Sequence, residues 1–184
     1  MAMNSKKIRN LTLSAMFICL GYVLPFLTGQ IKEIGSMLLP MHIPVLLTGF
    51  ICGWKYGLAV GFILPIFRSM TMGMPIMYPS AISMAFELAT YGFVSGLLYF
   101  RSAWKCIRAV LKSLIVSMIC GRVVWGIVQV ILLGVKGTAF TFSMFFAGAF
   151  INAVPGIIIQ LVFIPVLMLS LQKAKIITYG ENDE

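Results

Sequence analysis

Charge is scarce in this chain: Asp, Glu, Lys and Arg make up 10% of its 184 residues, against roughly 25% in an ordinary soluble domain. Hydrophobic residues make up 60% and the mean hydropathy is +1.02. A water-soluble globule is thereby excluded, and the chain reads as an integral membrane protein nearly from end to end. Acidic residues are the rarest, 5 against 14 Lys and Arg. In a membrane protein such a cation excess serves orientation and contact with the lipid bilayer, so nucleic acid is not an expected partner. Cys19, Cys52, Cys106 and Cys120 lie far apart, with no CxxC pair, so neither a zinc site nor a disulfide framework is expected. Histidine occurs once, at His42, with proline at position 44, and no HExxH can form. Paired acid clusters, GxSxG, a P-loop and a filter-like pore repeat are missing as well. No metal, cofactor, catalysis or ATP hydrolysis is expected of this chain.

What is present is a succession of apolar runs. A hydrocarbon core about 30 Å thick needs about 20 apolar residues in a helix. Asn10 to Ile31 carries no charge and follows Lys6, Lys7 and Arg9. It begins like a secretory signal, but no small-x-small cleavage site follows, so it reads as a retained first helix. The tract from Pro44 to Met70 is broken at Cys52-Gly-Trp-Lys-Tyr-Gly57. A single helix there would hold Lys55 near mid-membrane at a cost of roughly 2.5 to 3.5 kcal/mol, which a tight turn avoids. The expected fold is all-α, one membrane domain over 1–184, with helices at about 10–27, 42–53, 56–70, 81–100, 110–134 and 145–171. With six transmembrane helices in one bundle and both termini cytoplasmic, the inner connections hold Lys6, Lys7, Arg9, Lys55, Arg101, Lys105, Arg108, Lys112, Lys173 and Lys175, ten of fourteen cations. Five helices would throw the basic 101–112 stretch to the outer face.

Polar residues inside hydrocarbon are costly unless they face a partner or a water-filled cavity, so they mark function. Arg68, Glu87, Arg122 and Asn152 stand out. Ser83, Glu87 and Thr90 or Tyr91 share one face of the fourth helix; Arg122, Trp125 and Gln129 share one face of the fifth; Asn152 and Gln160 lie along one ridge of the sixth. Three such faces imply a common inward cavity; alternatively Glu87 and Arg122 neutralise each other across a helix interface, with Asn152 as interhelical glue. The methionines at 70, 72, 74 and 77 fit either an adaptable lid or membrane-facing filler. Gly49/Gly53, Gly57/Gly61 and Gly92/Gly96 read as close-packing points.

The segments KKIRNLTLSAMFICLGYVLP, LPMHIPVLLTGFICGWKYGLAVGFILPIFR and MYPSAISMAFELATYGFVSGLLY together resemble the substrate-binding S component of energy-coupling factor (ECF) vitamin transporters. The resemblance implies capture of a vitamin or related micronutrient at the outer face of a bacterial plasma membrane. A transmembrane coupling subunit and two cytoplasmic ATPases would drive its release inside. It makes the connection holding Gln30 and Lys32 a lid, and Glu87, Tyr91, Arg122, Trp125 and Asn152 cavity contacts. The small pair Ala15 and Cys19 falls where such proteins dock their coupling subunit. Arg68 and Arg122, with Lys32, suit a carboxylate or phosphate, and Trp125 or Tyr91 suits stacking on a ring. A pantothenate-like solute is the first guess; pyridoxine-type, thiamine-precursor and folate-type ligands stay open. A self-sufficient small-solute carrier is the alternative, an intramembrane enzyme the more distant one.

Overall fold

The computed structural model describes residues 5–27, 40–102, 106–135 and 154–173. Within them the fold is all-helical, with six helices and no strand. They are α1 (Ser5–Leu27), α2 (His42–Cys52), α3 (Trp54–Met72), α4 (Ile82–Arg101), α5 (Ile107–Val135) and α6 (Val154–Lys173). An apolar chain in lipid satisfies its backbone within each segment, which is why every run becomes a helix. Four spans are long and apolar enough to cross a bilayer: α1, α4 together with the turn before it, α5 and α6. The large apolar side chains they expose, such as Leu11, Ile119, Ile131 and Val162, form a lipid-compatible exterior.

Two glycines set the middle of the fold. Gly53, with φ of 96°, is the joint at which the chain reverses between α2 and α3 and leaves Lys55 exposed. Gly73, with φ of 69°, ends α3, its N–H bonding the Ser69 carbonyl at 3.0 Å. A π-helical turn, Met77–Ala81, then leads into α4.

α4 is the central helix, packed against α2, α3 and α5. Glycine makes its approach to α2 and α3 possible: a Cβ at Gly57 would stand 2.5 Å from the Gly92 carbonyl oxygen, and one at Gly49 would stand 2.7 Å from the same atom. With 11 residues, α2 is about half the length of its neighbours. It rises only about 16 Å at 1.5 Å per residue, so its N-terminus begins in the middle of the bundle.

The bundle has two unlike ends. At one, Asn10 Nδ2 donates to the Cys52 carbonyl at 3.4 Å, and Trp54 stacks edge-on against Phe93 with centroids 5.4 Å apart. Here gather α1's start, the α2–α3 joint, α4's end, α5's start and α6's end. Lys6, Lys7, Arg9, Lys55, Arg101, Arg108, Lys112 and Lys173, all exposed, belong to this end. At the other end Arg68 donates to the Tyr22 carbonyl, and the Tyr78 hydroxyl donates to the Leu132 carbonyl. Among the described residues no exposed cation lies there.

Candidate functional site

Halfway along the bundle, the single carboxylate between Glu33 and Glu181 in the sequence is buried where α2, α4 and α5 meet. Glu87 on α4 is 3% exposed. Arg122, near the middle of α5 and 6% exposed, places Nη1 at 3.0 Å from Glu87 Oε1. One turn along α4 the Tyr91 hydroxyl donates to the same oxygen at 3.0 Å. His42, fully buried at the start of α2, brings Nε2 to 3.7 Å from that oxygen and its ring to 5.2 Å from the Tyr91 ring. The short α2 is what delivers His42 to this depth. Room for Tyr91 comes from Gly121, where a Cβ would overlap the tyrosine ring.

A second polar contact extends the face by a turn. Gln129 on α5 donates through Nε2 to Ser83 Oγ at 3.1 Å, and the Ser83 hydroxyl donates to the Ser80 carbonyl at 3.0 Å. Polar groups withdrawn from water at such depth are costly unless bonded. Among the described residues several are not: Arg122 Nε and Nη2, Gln129 Oε1, and both side-chain polar atoms of Gln160 are buried with no hydrogen-bond partner. Gln160 is 1% exposed on the stripe by which α6 packs inward, with Gly156, Ile164 and Met168. Donors and acceptors left open in one core are what a binding site for a small polar solute requires. Among the described residues no group of three His, Cys, Asp or Glu gathers as a metal centre would need.

Of the residues singled out in the sequence, Glu87, Tyr91 and Arg122 come together. Trp125 is half-buried one turn from Arg122. Arg68 is held elsewhere: its Nε donates to the Met74 carbonyl at 3.1 Å, its Nη1 to the Tyr22 carbonyl at 3.0 Å, and its guanidinium lies 5.5 Å from the Phe26 ring centre. Thus Arg68 staples α1 to the end of α3 through backbone oxygens. Gln30, Lys32 and Asn152 lie outside the described residues, as do Lys105 and Lys175. Ala15 and Cys19 sit on the exposed side of α1, opposite its buried Ser14 and Phe17. His42 is the residue the sequence reading passed over, having weighed it only as a metal ligand. The available signal is a polar side chain at the head of an apolar tract, His42 being the first residue of α2.

A multi-pass membrane protein that encloses a charged, partly unsatisfied cluster in its helices is the build of a solute-handling transporter component. The family described as ECF transporter, substrate-specific component, matches residues 9–169, and the chain belongs to that family. It is a family of transporter subunits rather than of enzymes. Membership implies a small-molecule substrate and association with a membrane coupling subunit and ATPases. No curated protein and no solved structure matches the chain.

Proposed function

We propose that the chain captures a vitamin or related micronutrient at the outer face of a bacterial plasma membrane, without chemical change, for ATP-driven uptake. In this reading it spans the membrane six times, with both termini cytoplasmic. A separate coupling subunit and two ATPases supply the energy. The observation that carries it is the Glu87–Arg122–Tyr91–His42 cluster at mid-bundle, next to buried donors and acceptors that the described protein leaves open. An interface that only neutralised charge would be expected to saturate its hydrogen bonds. Gathering of the exposed cations at one end supports the orientation. The exposed small pair Ala15 and Cys19 supports docking of the coupling subunit on α1, since small side chains let a partner helix approach closely.

The test has two arms. Small molecules released by denaturing the purified protein are identified by mass spectrometry, and an unaltered micronutrient is expected; a turned-over product would sink the reading. In cells, Ala15→Trp is expected to abolish uptake while ligand affinity and melting temperature hold. Normal uptake by that variant would remove α1 as the docking face.

A further inference from the structure

Arg122 spends one part of its guanidinium and keeps another. Nη1 is engaged by Glu87 Oε1 at 3.0 Å, whereas Nε and Nη2 are buried without a partner among the described residues. In the planar guanidinium the Nε–H and the Nη2–H point the same way and form a two-pronged edge. Such an edge fits the two oxygens of a planar acid, which accept both bonds in parallel. From this we infer that the captured solute is a carboxylic acid whose carboxylate seats on the Nε/Nη2 edge of Arg122. The inference rests on the solute-capture reading above and names the ligand class of that same site.

Three further observations agree. Glu87 fixes the guanidinium at Nη1 and Tyr91 holds Glu87 through its hydroxyl, so both are positioning residues that aim the free edge. The N-terminus of α2 starts beside this cluster at His42, and the positive end of a half-length helix inside a membrane protein favours an anion. Glu87 shares the same guanidinium, so one added negative charge is tolerated better there than the charge of roughly −1.5 to −2 on a phosphate monoester. Gln129 Oε1 and both polar atoms of Gln160 are further buried groups without a hydrogen-bond partner among the described residues. Gln129 lies seven residues beyond Arg122, about 10 Å along the helix. An acid that also reaches Gln129 carries a hydroxyl or amide group at that distance from its carboxylate.

The test uses the full chain in detergent micelles, offered a yeast-extract solute fraction supplemented with pantothenate and panthenol, nicotinate and nicotinamide, biotin and biotinamide, pyridoxal phosphate and thiamine monophosphate. Retained compounds are read by mass spectrometry after washing. The expected result is retention of an acid and not of its uncharged counterpart. Affinity for that acid is expected to fall roughly ten- to a hundredfold in Arg122→Lys, which keeps the charge against Glu87 but not the paired edge. The matched pairs are compared on the unaltered protein, so the test stands even if the variant folds poorly. Retention of a neutral solute, or of a phosphate ester alone, would overturn the inference and leave solute capture standing. Retention of nothing would overturn both.

Discussion

Two donors, Arg122 Nη1 and the Tyr91 hydroxyl, converge on a single oxygen, Glu87 Oε1, with His42 Nε2 3.7 Å away, and this sets what single substitutions do at the centre of the bundle. Tyr91→Phe removes one donor and leaves Arg122 and His42 in place. A hydrogen bond to a charged group is worth about 1.5 to 3 kcal/mol; with Arg122 still paired to the carboxylate at 3.0 Å, a stability loss near the lower figure is expected, visible as a lower melting temperature. Thr90→Val, one residue away, removes a hydroxyl that bonds only the Phe86 carbonyl of its own helix at 2.8 Å, and is expected to be nearly neutral. Equal effects of the two would deny that Tyr91 holds the carboxylate. Periodicity left Thr90 and Tyr91 as alternatives because the two are adjacent and the polar face is broad. Packing distinguishes them, since only Tyr91 has Gly121 opposite it to make room for a ring. That Glu87 and Arg122 turn inward was legible because each is a lone charge in an apolar run. The single-sided use of Arg122 was not, because which nitrogens remain open depends on the angle at which α4 and α5 meet.

At the scale of elements, the Lys55 turn was legible for the same reason, a charge being too costly at mid-membrane. The shortness of α2 was legible too, since the same break at Gly53 limits it to about 42–53; that this short helix carries His42 beside Glu87 was not, because it depends on how α2 packs against α4. The seam between α3 and α4 gives the sharpest contrast among the glycines. At Gly57 a Cβ would stand 2.5 Å from a backbone oxygen of α4, an atom that cannot rotate away; at Gly134 nothing lies within 4 Å. Gly57→Ala is therefore expected to force the two helices apart and destabilise the bundle by about 1 to 3 kcal/mol. Gly134→Ala is expected to hold or raise the melting temperature, since alanine favours the helix by roughly 1 kcal/mol over glycine. Thermal unfolding of both variants in the same detergent checks the pair, and a stable Gly57→Ala protein would mean that the seam is loose.

For the whole molecule, the sequence contains an orientation and the fold collects it onto one surface. The eight exposed cations among the described residues are contributed by five helix ends, scattered over the chain from Lys6 to Lys173. Only an alternating up-and-down order of helices brings them together, and in the proposed orientation that surface is the cytoplasmic one. Cys106 offers a native probe of this arrangement. It is exposed just before α5, between Arg101 and Arg108, and the Ala109 backbone N–H at the helix start lowers its thiol pKa below the ordinary value. More of it is thiolate near neutral pH than of an unperturbed cysteine, so it reacts faster with a maleimide. The other three cysteines lie on or against membrane-spanning helices, Cys52 being buried there. In intact cells a membrane-impermeant maleimide is expected to leave Cys106 unmodified, and in inside-out vesicles to label it at a rate that rises as pH approaches the thiol pKa from below. Labelling of Cys106 from outside would reverse the bundle in the membrane. The end of the bundle opposite the exposed cations would then face the wrong compartment for capture.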